Sequence, residues 1–199
     1  MISTYANEKI KVTAYERAKH GNSCSGDTHV FIESSDYVVC AVIDGLGSGE
    51  GAFQSAIAAL NVIQSHHHLA VSQMVGLCND ALGQKRGVVL TVVKFDLKEQ
   101  LVDYCNVGNI GFVMYLPDGK TIQPVPARGY LSGKKQTFAQ NSFPYLKDSV
   151  FMLYSDGVKK KPSKQMVKDL AIGENGSDQV LENDWFAADD VTILFGKLY

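Results

Sequence analysis

The spacing of apolar and polar positions changes several times along the 199 residues. Ile10–Ala18 and His29–Glu33 read as strands. Tyr37–Ile43 is apolar at nearly every position, the pattern of a strand covered on both faces. From Glu50 to Gln64 the period lengthens, with Phe53, Ala56, Ile57, Leu60 and Ile63 recurring at helical spacing. Val71, Met74, Val75, Cys78 and Leu82 repeat that spacing over Val71–Leu82, and Gly83 is a stop signal. Strand patterns return at Val88–Asp96, Leu101–Asn106, Ile110–Tyr115 and Thr121–Pro124, with a Pro117-Asp118-Gly119 turn before the last. Arg128–Lys147 reads as irregular. Val150–Ser155 is a strand, Lys164–Ile172 a short helix and Val191–Gly196 a closing strand. Strands in runs with helices clustered between them argue against regular β-α-β alternation. They predict an α+β domain with a largely antiparallel sheet. No repeat or low-complexity linker divides the chain, so residues 1–199 are expected to form a single domain.

Composition narrows the function classes. With 45% hydrophobic and 20% charged residues the chain can bury a core. Nineteen Lys and Arg against 21 Asp and Glu give a net charge of -2, which disfavours a nucleic-acid partner. No apolar run approaches the ~18 residues of a membrane span, and Met1–Ile10 lacks the apolar stretch of a signal peptide. Cys24, Cys40, Cys78 and Cys105 are scattered without zinc spacing and read as reduced thiols of a cytoplasmic protein. His66, His67 and His68 occupy successive helical positions that do not share a face, so they read as polar residues at a helix C-terminus.

The chemistry concentrates in acidic turns. Asp44-Gly45-Leu46-Gly47-Ser48-Gly49-Glu50-Gly51 follows the most apolar strand. No Lys-Ser/Thr closes it into a P-loop, and a carboxylate before the glycines repels a pyrophosphate. Asp followed by a Gly turn suits a hard cation, with turn carbonyls joining the carboxylate. Tyr154-Ser155-Asp156-Gly157 again ends a strand in Asp-Gly, and Asp189-Asp190 opens the last strand. Each alone is also an ordinary turn or strand end. If the last strand runs antiparallel to the other two, Asp44, Asp156 and Asp189 meet at one edge of the sheet. Such a cluster repels itself unless a divalent cation neutralises it, and oxygen-only donors imply Mg²⁺ or Mn²⁺. Gly26-Asp27 adds a carboxylate that can hold metal-bound water.

Taken in order, Asp44-Gly45-x-Gly47, Asn106-Val107-Gly108-Asn109, Ser155-Asp156-Gly157 and Asp189-Asp190-x-Thr192 resemble the metal-dependent protein phosphatases of the 2C class. The short form, with Pro126-Ala127-Arg128-Gly129 and Leu146-Lys147-Asp148, is similar to their bacterial SpoIIE-type branch. The resemblance covers about Asp27 to Leu194. It implies a four-layer αββα sandwich and two Mn²⁺ or Mg²⁺ ions that activate a water for in-line attack on a phosphoryl group. It implies that Asp44 bridges both ions and that the Gly45 carbonyl binds one. Asp156 and Asp189 would hold the other, while Asp27 would act directly or through water and Asp190 would contact metal-bound water or the phosphate. It further implies substrates among phosphorylated STAS-domain regulatory proteins of the stressosome, no membrane partner and a monomer.

Two positions depart from the animal members. Leu46 stands where they have a general-acid His, and Asn22 where they have a phosphate-holding Arg. Arg17, Lys19, His20 and Arg128 are the substitutes in view, and the basic run Lys159-Lys160-Lys161 is either a solvated loop or a docking element for a phosphorylated or acidic partner. The competing reading is a catalytically silent, phosphatase-like module that sequesters its partner.

Overall fold

A computed structural model describes residues 1–19, 24–159, 162–172, 186–187 and 189–199. Strands β1 (Ile2–Ala6), β2 (Ile10–Arg17), β3 (Asp27–Glu33) and β4 (Tyr37–Gly45) precede helices α1 (Glu50–His66) and α2 (Val71–Asp80). Then come β5 (Val88–Asp96), β6 (Leu101–Val107), β7 (Gly111–Tyr115), β8 (Thr121–Ile122), β9 (Asn141–Pro144) and β10 (Val150–Tyr154). Helix α3 (Lys164–Ile172) and β11 (Val191–Leu198) follow. One sheet has the order β1-β2-β11-β10-β7-β8 and the other β3-β4-β5-β6-β9, all pairs antiparallel.

The two sheets face each other, and the helices cover their outer sides. Strand β4 shows why its sequence is uniformly apolar. Val38, Cys40 and Val42 point into the core between the sheets, with Phe95, Phe112, Phe151 and Leu194. Val39, Ala41 and Ile43 point the other way, under α1 and α2. Helix α3 caps the other sheet over Met152, Ile193 and Phe195. This is the expected αββα sandwich.

Three local expectations are corrected. The buried stripe of α1 is Ala52, Ser55, Ala56, Ala59 and Ile63, not the larger Phe53 and Ile57, which stay half-exposed. The cause is close approach to the sheet: a Cβ on Gly45 would sit 2.1 Å from the Ala52 carbonyl oxygen. The stretch Arg128–Lys147 is not wholly irregular, because β9 pairs with β6 there. Asp44 lies in one sheet, whereas Asp156 and Asp189 flank strands of the other, so the three carboxylates meet at one end of the sandwich rather than along one sheet edge.

The histidine run sits at the end of α1. Lys94 Nζ donates to the carbonyls of His67, His68 and Leu69, neutralising the helix C-terminus. Among the described residues all four cysteines are free thiols.

Candidate metal centre

The antiparallel register sets Asp27 of β3 directly opposite Asp44 of β4. Like charges placed face to face across a strand pair are destabilising unless something neutralises them. Asp27 is 5% exposed, and its Oδ2 has no hydrogen-bond partner. Burial pushes the Asp27 carboxyl up to about 7. A hydrogen bond from Ser155 pulls it back, and the charges of Asp190 and Asp156 raise it further. Burial, then the charge of Asp27, then that of Asp156 push Asp44 up to about 8. The pair therefore holds a proton in place of a cation near neutral pH.

The second Asp-Gly turn meets this pair from the opposite sheet. Gly157 is required because a Cβ there would lie 2.1 Å from the Asp190 carbonyl oxygen. Ser155 N donates to Thr192 O and Ser155 Oγ accepts from Thr192 N, locking the end of β10 to the start of β11. Asp156 is exposed to the cleft, and its Oδ2 accepts a 2.9 Å hydrogen bond from Asn109 Nδ2.

Asp189 and Asp190 differ in their surroundings. Asp190 is buried, and its two oxygens accept the backbone N–H groups of Lys19 (2.7 Å) and Gly26 (2.8 Å). Asp189 is exposed, with its carboxylate 3.6 Å from Lys19 Nζ.

A cleft of about 710 Å³ joins these parts, lined on its acidic side by Asp27, Asp44, Asp156, Asp189 and Asp190. Leu46, Val89 and the strap Pro126–Gly129, which carries Arg128, form the other walls. The strap is anchored from below: buried Asn106 accepts from Ala127 N through Oδ1, and Gly108 N donates to the Ala127 carbonyl. Among the described residues no three His, Cys, Asp or Glu side chains close into a ligand shell on their own. An ion here would take one or two carboxylates and fill its shell with carbonyls and water, as Mg²⁺ prefers. The unpartnered Asp27 oxygen and the all-oxygen donor set fit hard divalent cations.

Other residues singled out in the sequence have different places. Arg17 donates from Nη2 to the Ala187 carbonyl and stacks over Phe186. Lys159 is exposed beyond Val158 and does not line the cleft. Lys160, Lys161, His20 and Asn22 lie outside the described residues. Sequence reasoning passed over Asn109 as a partner of Asp156. It also passed over Arg86, whose Nη1 donates to Ser48 O across the Gly45–Gly51 turn.

The fold and this end-on acidic cleft define a class. The family model for stage II sporulation protein E (SpoIIE) matches residues 34–182, and the chain belongs to that family of 2C-class phosphatases. More narrowly, it is 31% identical over 198 residues to the phosphoserine phosphatase RsbX of Bacillus subtilis strain 168, covering all of both chains. It matches a crystal structure of RsbX in complex with magnesium at a TM-score of 0.90 and 30% identity, again over all of both chains. The catalytic domain of the serine/threonine phosphatase PstP in complex with two manganese ions shares the fold alone. There the TM-score is 0.74 and the identity 13%, over 96% of this chain and 98% of that one.

Proposed function

We propose that this chain is a Mn²⁺- or Mg²⁺-dependent phosphatase for phosphoserine and phosphothreonine on proteins. The observation that carries the reading is the Asp27–Asp44 pair, Asp27 buried with one oxygen unpartnered and Asp44 partly exposed to the cleft, facing Asp156 across it. Asp44, the Gly45 carbonyl, Asp156 and Asp189 would hold the ions, with Asp27 and Asp190 acting through water or the backbone. When bound, the ions supply an activated water at neutral pH and neutralise charge on the phosphoryl oxygens. Asn109 fixes the rotamer of Asp156. Arg128, held on the anchored strap, binds the phosphoryl group opposite the carboxylates. Leu46 lines the cleft and donates no proton. The Asp set lines one cleft, which favours an enzyme over a silent module.

The substrates are phosphorylated STAS-domain regulators of a stress-response complex. Support comes from the full-length similarity to RsbX, and a cytoplasmic location and a monomeric state are part of the same proposal. The test is hydrolysis of p-nitrophenyl phosphate and of a phosphorylated STAS-domain protein, with Mn²⁺ and with EDTA. Activity with Mn²⁺ that vanishes in EDTA is expected. Full activity in EDTA would sink the reading.

A further inference from the structure

Two segments reach the rim of the cleft, one at Arg128 and the other at Arg86 beside Gly47, and carry charge of one sense only. No Asp or Glu occurs from residue 81 to 95 or from 119 to 147, although the whole chain is net negative. The first segment exposes Lys85 and Arg86, and the second exposes Arg128, Lys134 and Lys135. Among the described residues none of these five is in an ion pair, whereas Lys98 and Lys197 elsewhere, and Lys120 at the very start of the second segment, are paired with aspartates.

The fold makes these segments one surface. Val88 and Leu131 exchange backbone hydrogen bonds, and Gly133 abuts Gly83 so closely that a Cβ would lie 2.4 Å from its Cα. Asn79 of α2 accepts from Ser132 N and Gly133 N and donates to Lys134 O, pinning the loop that carries the lysines. At the inner end, Arg86 reaches the Asp44–Gly51 turn through Ser48 O. Flanking the strap Pro126–Gly129, Val125 and Tyr130 are 90% and 47% exposed. The nearby acidic residues are Asp80, beside Lys135 in a shallow groove, and Glu50, whose carboxylate accepts from Gln54. A rigid cationic rim with two exposed apolar side chains loses little freedom on binding.

We propose that this rim docks the acidic protein surface surrounding the phosphorylated residue, and so selects substrates by the charge flanking the phosphate. The inference rests on the phosphatase reading above and deepens it. Like-signed, unpaired cations around a cleft steer and hold an anionic partner, and salt weakens them.

The experiment compares two phosphoserine peptides, one flanked by Asp and Glu and one by Lys. The protein is the wild type and the triple variant Lys85→Glu/Lys134→Glu/Lys135→Glu, with Mn²⁺ present. Fluorescence anisotropy reads binding and phosphate release reads turnover. The expected preference of wild type for the acidic peptide is about tenfold in kcat/KM at low salt, from several weak surface pairs acting together. It should shrink several-fold at high salt and disappear in the variant, while p-nitrophenyl phosphate turnover stays unchanged. Equal handling of both peptides by wild type, or an undiminished preference in the variant, overturns the proposal. Loss of p-nitrophenyl phosphate hydrolysis in wild type overturns the phosphatase reading instead, and anisotropy then still decides whether the rim binds the acidic peptide.

Discussion

Asp44→Asn should make the metal-free protein more stable at alkaline pH while removing its capacity to bind cations tightly. Unfolded, Asp27 and Asp44 titrate near 3.8; folded and without metal, they are raised to about 7 and about 8. A carboxyl whose folded value is raised contributes its stabilisation below the unfolded value. That contribution is lost as pH climbs through the folded value. Between about pH 4 and 8 the folded chain therefore holds more protons than the unfolded one, and stability falls by about 1.4 kcal/mol per pH unit for each proton held. The two carboxyls lie face to face and titrate as a pair that shares one proton, and the cleft admits water. From about pH 5 to 8 the loss is then on the order of 2–3 kcal/mol.

For a chain of this length that corresponds to a fall in Tm of about 5–10 °C. The assay is thermal unfolding by circular dichroism in EDTA at both pH values. The amide introduced by Asp44→Asn carries no charge to titrate, so the variant should show less than half the wild-type fall. Millimolar Mg²⁺ should restore the wild type at alkaline pH, because cation binding to the folded state replaces the lost proton. It should leave the variant nearly unmoved. The reasoning is refuted if metal-free wild type is as stable at about pH 8 as at pH 5 relative to Asp44→Asn.

Gly45→Ala should cost about 3 kcal/mol or more, because the new methyl meets the Ala52 carbonyl and α1 must move off the sheet; a chemical melt reads it. Asn106→Ala removes the acceptor for Ala127 N and donors to Leu90 O, Thr91 Oγ1 and Ile110 O. It should lower stability by about 2–3 kcal/mol and speed hydrogen exchange at the Ala127 amide. Asp189→Asn should leave Tm in EDTA unchanged and weaken Mn²⁺ binding about tenfold or more by calorimetry, since its carboxylate is exposed to the cleft. Asp190→Asn should do the reverse: an amide accepts only one of the Lys19 and Gly26 N–H groups, so about 1–2 kcal/mol is lost while the metal still binds. A variant pair with these effects exchanged would place the direct ligand at the second Asp.

The parts of this molecule that were legible in its sequence are those whose residue pattern has a single physical solution. An unbroken apolar run such as Tyr37–Ile43 can only lie between two covered faces, and it does, because both the opposite sheet and two helices pack against it. Asp-Gly at two strand ends was readable as chemistry for a related reason. In both, the glycine is demanded by a backbone approaching to within 2.1 Å of where a Cβ would be, and the aspartate is thereby left at the mouth of the cleft. What stayed hidden depends on partners remote in sequence. Strand β1 is polar and half-exposed, and only its ladder with β2 defines it. The placement of Asp44 in a different sheet from Asp156 follows from β11 inserting between β2 and β10, a crossover that periodicity does not encode. Asn109 and Arg86 carry no local signal, since one acts on a residue 47 positions away and the other on one 38 positions away. The same division holds within the final Asp pair. Both aspartates precede β11, which begins at Val191, and both line the cleft, so strand alternation does not separate them; what does is that Asp190 accepts the backbone N–H groups of Lys19 and Gly26, which the fold delivers from the far end of the chain. Two neighbouring aspartates thus look identical in sequence and separate only by what each carboxylate has left to accept.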